Sequence, residues 1–100
     1  MFSAIIKTKL LQFFANDSLN VRSNKINGEM YLMILNSVSE EFYRDMIIEY
    51  LDSNSLQYAN TLAAMITSGM KCIGIEVNRN KVVNLITKTL KDIDDKNIQL

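Results

Sequence analysis

The sequence predicts an all-α domain, a compact bundle of about five helices around a central helical hairpin, and three observations predict it. Apolar residues recur at helical spacing in successive stretches, and proline is absent from all 100 residues. The polar tetrad Asp52-Ser53-Asn54-Ser55 divides the most periodic stretch, residues 37–66, into two arms. Only residues near 72–77 read differently, as one short strand. One hundred residues with 48% hydrophobic composition suit a single domain over 1–100, large enough for one core and too small for two.

Residues 2–15 fit a first helix, with Phe2, Ile5, Ile6, Leu10 and Phe13 facing inward and Lys7, Lys9 and Gln12 outward. Residues 16–27 are polar, with Leu19 and Val21 as the only alternating apolar pair, and read as a loop with a short extended piece. Asn27-Gly28 is the strongest turn signal, and it opens a run from Met30 to Leu35 that is apolar on all sides. Met30, Met33, Ile34 and Val38 keep helical spacing, and the run lacks β-branched enrichment. It therefore reads as a short helix packed beneath the hairpin.

In the first arm Phe42, Tyr43, Met46, Ile47, Tyr50 and Leu51 share one broad arc at about 100° per residue, and Glu41, Asp45, Glu49 and Asp52 share another. Ser37 with Glu40 fits a capping box that starts this helix near Val38, where Glu40 and Glu41 suit the positive end of the helix dipole. The second arm spaces Leu56, Ala59, Ala63, Ile66 and Met70 by three and four, and its small alanines admit a close neighbour. Gly69 is the expected stop of this arm.

Beyond it, residues 71–77 alternate, with Ile73, Ile75 and Val77 on one side. A strand there needs a partner, either residues 19–22 or the same segment of a second subunit. Asn78 reads as the N-cap of a last helix that buries Val82, Leu85, Ile86, Thr89, Leu90 and Ile93 and ends near Asp94. Residues 94–100 are expected to fray.

Eleven basic and eleven acidic residues cancel, so the whole chain has no bulk attraction to nucleic acid or anionic lipid. The charge is nevertheless laid out in blocks: +3 over residues 1–28, −5 over 29–52, +4 over 53–91 and −2 over 92–100. Any electrostatic role belongs to these local faces.

There is no histidine for a triad or proton shuttle, and the three glycines never cluster into a phosphate cradle. Cys72 is the only cysteine, which excludes an intrachain disulfide and reads as a small buried hydrophobe in a reducing compartment. The acids Glu41, Asp45 and Glu49, and the trio Asp92, Asp94 and Asp95, are the only candidates for a divalent cation, and they read as solvated surface. The expectation is therefore a protein without catalytic residues, metal, cofactor or small-molecule substrate. Lys7 and Lys9 interrupt the N-terminal apolar run, which is too short to span a bilayer, so a cytoplasmic chain without a membrane partner is expected.

Two faces carry the functional reading. Glu41, Asp45, Glu49 and Asp52 form an acidic stripe on the first arm of the hairpin. Lys81, Asn84, Lys88 and Lys91, with Arg79 near the helix start, form a basic stripe of about the same length on the last helix. Opposite stripes can pair within the fold, across a homodimer, or with a partner of complementary charge. The expectation is a non-enzymatic regulatory or adaptor module that binds a macromolecule, foremost a protein or a second copy of itself. The alternative is a small DNA-binding regulator of the helix-turn-helix or winged kind, in which Arg79, Lys81, Asn84, Lys88 and Lys91 enter the major groove. Against that alternative, residues 67–77 would separate the two helices, where the motif allows a turn of about 3–4 residues. The proline-free composition, rich in asparagine, isoleucine and lysine, is similar to that of mobile-element and phage accessory proteins; it implies no particular activity.

Overall fold

The computed structural model describes residues 3–16 and 28–96, and within them the chain forms five helices and no strand. They are α1 (Ala4–Asn16), α2 (Gly28–Asn36), α3 (Glu40–Ser53), α4 (Gln57–Cys72) and α5 (Arg79–Asp95). The all-α expectation holds. Phe2, residues 17–27 with the proposed extended piece at 19–22, and residues 97–100 lie outside the described residues.

Helix α4 is the centre, packing against α2, α3 and α5, while α5 also touches α1 and α3. Ala59, Leu62, Ala63, Ile66 and Met70 are buried along α4. The two alanines let neighbouring helices close on it, as their spacing implied. Around them one cluster gathers Ile6, Leu10 and Phe14 of α1, Tyr43, Met46 and Ile47 of α3, and Val82, Ile86 and Leu90 of α5. On α1 the deep aromatic is Phe14, with Phe13 half-buried beside it, a shift of one position from the sequence reading.

Helix α3 begins one cap later than expected. Its N-cap is Ser39, whose Oγ accepts from the Phe42 N–H at 3.1 Å. Ser37 instead closes α2: its hydroxyl donates to the Ile34 carbonyl at 2.6 Å and its N–H to the Met33 carbonyl at 3.0 Å. The capping box fails because a serine satisfying the carbonyls that end one helix cannot serve the amides that begin the next. The helix ends at Asn54, which takes the left-handed conformation (φ 56°) and returns its N–H to the Tyr50 carbonyl. Ser55 Oγ then accepts from Gln57 N–H at the entry to α4.

Helix α4 does not stop at Gly69. It runs on to Cys72 and ends in a Schellman turn: Ile75 N–H bonds the Met70 carbonyl, Gly74 N–H bonds the Lys71 carbonyl, and Gly74 holds φ +84°. Buried Ile75 packs into the same core as Met70. The alternation read as a strand belongs to this turn and to the coil behind it, where no other strand is at hand among the described residues to take its backbone groups. Gly69 has another use. A Cβ there would stand 3.0 Å from Ile34 Cγ2, so the missing side chain makes room for Ile34 of α2 against α4.

Helix α2 turns Tyr31 and Leu35 inward and Met33 outward at 72% exposure. Of the expected face, Val38, just past the helix, is buried, Met30 and Ile34 are half-buried, and Met33 is corrected to the surface. On α5, Asn78 Oδ1 accepts from the N–H groups of Asn80 and Lys81, the cap the sequence predicts. Val82, Ile86, Thr89, Leu90 and Ile93 are buried, and the Thr89 hydroxyl donates to the Leu85 carbonyl at 2.8 Å.

Candidate functional site

The acidic residues lie where their periodicity put them. Helix α3 buries Tyr43, Met46, Ile47 and Tyr50, which turns Glu41, Asp45, Glu49 and Asp52 away from the core. Glu41, Glu49 and Asp52 are exposed and Asp45 is half-exposed. Arg44 Nε stands 3.9 Å from Asp45 Oδ1, with both side chains open to solvent. At that distance and exposure the pair contributes about 0–1 kcal/mol and leaves the stripe negative. Ile48 and Leu51, at 40% and 43% exposure, flank the acids on one side. The expectation that Leu51 joins the buried arc is corrected. It sits at the outer edge of that arc, 43% exposed.

On α5 the residues Arg79, Lys81, Asn84, Lys88 and Lys91 are all exposed. At about 100° per residue, Lys81, Asn84, Lys88 and Lys91 fall within one arc of about 80°. Asp92 and Asp95 lie in or beside that arc at its last turn, so the positive face is confined to the first three turns of the helix. Residues 73–78 join α4 to α5, a shorter connection than expected yet longer than the turn of a helix-turn-helix motif. Among the described residues no ion pair joins the acidic stripe to the basic one.

A second polar group, invisible in the linear sequence, ties three helices at one end of the bundle. Lys7 Nζ donates to Asn36 Oδ1 at 2.6 Å, stands 3.5 Å from Glu40 Oε1, and lies 5.3 Å from the ring centroid of Tyr43. Buried Ser3 donates its hydroxyl to the same carboxylate. The Ser3 bond holds the Glu40 carboxyl below its ordinary value, and Lys7 adds to the effect. Tyr43 donates to the Leu35 carbonyl at 2.7 Å; burial, with the Glu40 charge behind it, pushes its phenol upward. Lys7 is therefore half-buried, where the sequence placed it outside. Among the described residues no buried side-chain nitrogen or oxygen lacks a hydrogen-bond partner.

Cys72 is exposed, not buried, because α4 extends past Gly69 and carries the thiol onto its outer face. An open groove of about 1070 Å³ beside the α4–α5 connection is lined by Thr67, Ser68, Lys71, Val77 and Arg79 among others. Its walls mix lysine, arginine and glutamate. Among the described residues no three acids, cysteines or histidines gather as a metal site. No described helix is long and apolar enough to cross a membrane.

Sequence reasoning found both charged stripes and missed the apolar residues beside them. Leu32, Met33, Ile48, Leu51 and Met65 are the large exposed hydrophobics among the described residues, and each belongs to a helix whose inner face is already filled. The signal was available for Ile48, which falls off the apolar arc of α3. It was absent for Met33, whose run is apolar on all sides. Set against models of protein families, curated proteins and solved structures, the chain matches none of them.

Proposed function

We propose that the chain is a non-enzymatic regulatory or adaptor module, working in the cytoplasm, that docks a protein through the outer face of α3. One observation carries this reading. Four acids, Glu41, Asp45, Glu49 and Asp52, share a rigid helix face with the exposed apolar pair Ile48 and Leu51. Exposed carboxylates alone add little affinity, but they steer and select a partner while adjacent apolar side chains supply the area that holds it. Capture from nuclease-treated lysate of the source cells tests the reading. Wild-type protein retains a partner that the Asp45→Lys/Glu49→Lys variant loses; equal recovery by both removes α3 as the docking face.

A second reading places α5 on nucleic acid, and the exposure of Lys81, Asn84, Lys88 and Lys91 favours it. Asp92 and Asp95 oppose it, since they bring negative charge to the end of the same face. Titration against random duplex DNA decides: phosphate contacts give binding that weakens steeply with salt, and a flat titration ends this reading.

A further inference from the structure

We infer that the partner seated on α3 is a second copy of this chain, which presents the basic face of its α5. The inference rests on the protein-docking reading above and names the protein.

The two ridges are complementary in sign, length and pitch. Glu41, Asp45, Glu49 and Asp52 step by four, four and three residues; Lys81, Asn84, Lys88 and Lys91 step by three, four and three. At a rise of about 1.5 Å per residue they extend about 16 Å and about 15 Å. Each covers an arc of about 80° and points away from the core that its own helix helps to build. Within one molecule, among the described residues, the ridges do not pair. Between molecules nothing repels at long range, because the net charge is zero.

The apolar flank fits the same occupant. The inner side of α5 is spent on Val82, Ile86, Leu90 and Ile93, so what it offers outward is lysine. Lysine stems lie along apolar surface while their ammonium heads reach for charge, and Ile48 and Leu51 stand beside the carboxylates that would take those heads. Either direction brings three lysines to acids. With the helices parallel, Lys81 meets Glu41, Lys88 meets Glu49 and Lys91 meets Asp52; with the helices antiparallel, Lys81 meets Asp52, Lys88 meets Asp45 and Lys91 meets Glu41. Asp92 comes within one residue of an acid in both, so charge fixes the pairing of the ridges and leaves their direction to experiment. Because each copy carries both ridges, reciprocal contacts make a two-fold pair, and contact through one ridge at a time makes a ring or an open chain.

Sedimentation equilibrium of the full chain tests this. At low ionic strength the average mass climbs above 11.4 kDa with concentration. It returns to that value in about 0.5 M salt, where screening shortens the Debye length to a few ångström. Asp45→Lys/Glu49→Lys alone and Lys81→Glu/Lys88→Glu alone each stay monomeric, and an equimolar mixture of the two associates again. The neutral variant Asp45→Asn/Glu49→Gln weakens association in the same direction, and circular dichroism of every variant controls for folding. Carboxyl-to-amine cross-linking between light and isotope-labelled copies joins Lys91 to Asp52 in a parallel pair or to Glu41 in an antiparallel one, and the absence of both links overturns the contact between the ridges. A wild-type mass that stays at 11.4 kDa, or a mixture that stays monomeric, overturns the second copy as occupant. If in that case the Asp45→Lys/Glu49→Lys variant still loses a partner from lysate, docking on α3 stands with a foreign protein. If neither self-association nor capture responds to reversal, both readings fall.

Discussion

Ile34 of α2 presses its Cγ2 methyl to within 3.0 Å of where a Cβ on Gly69 of α4 would be. Glycine inside a helix costs about 1 kcal/mol relative to alanine, so its presence there marks a contact that outweighs propensity. The substitution Gly69→Ala therefore depends on its neighbour. In an Ile34→Leu background, which lacks the β-branch methyl, Gly69→Ala is more favourable by about 0.5–1 kcal/mol than in the wild-type chain. A double-mutant cycle by urea denaturation measures the difference, and a coupling of zero refutes the contact.

Two serines two residues apart separate just as clearly. Ser39 accepts from the Phe42 amide, whereas Ser37 donates to a carbonyl that already closes α2. Ser39→Ala costs about 1 kcal/mol, as does Asn78→Ala at the start of α5. Ser37→Ala costs less than half of that. Denaturation midpoints at constant m-value check the ranking.

Gly74 holds φ +84° with open space around the missing side chain, so a substitution there meets only backbone strain. Gly74→Ala costs about 1–2 kcal/mol, and Gly74→Asn costs less because asparagine tolerates the left-handed region. Equal losses for the two would show that packing, not backbone conformation, sets the cost.

Acid weakens the Ser3–Glu40–Lys7 tie. The Glu40 carboxyl titrates below its ordinary 4.5 in the folded chain, so the stability it contributes is fully present above 4.5 and is lost as pH falls through the lowered folded value. Glu40→Gln consequently melts below the wild type at neutral pH, and the two melting curves converge in acid. A gap that persists at low pH would assign the loss to packing.

Asp45 and Glu49, proposed above to dock a partner, carry no fold. Because Asp45 and Glu49 share only solvent-exposed contacts, their reversal to lysine changes unfolding free energy by about 0.5 kcal/mol or less. Thermal melts check it, and a large loss would remove the variant as a probe of binding.

What the sequence made legible was periodic. The inner faces of α3, α4 and α5 and both charged stripes follow from spacing alone, and Asn78 was recognisable because a cap needs only local geometry. Contacts between helices were not legible. Gly69 looked like a terminator because glycine's commonest helical use is at the C-terminus, and only the approach of Ile34 explains it inside α4. Residues 71–77 alternated by composition, and the Schellman turn buries Ile75 and half-buries Ile73 and Val77 for a reason unrelated to pleating. Lys7 read as solvent-facing because its partners Asn36 and Glu40 lie on other elements, about thirty residues away along the chain.

One phenol links three helices. Tyr43 belongs to α3, gives its hydroxyl to the last turn of α2, and lends its ring to the ammonium of α1. Those helices therefore breathe as one unit: amide protons of α1 and α2 exchange with deuterium at matched rates, and Tyr43→Phe, which spares the ring and removes only the hydroxyl, quickens α2 ahead of α1.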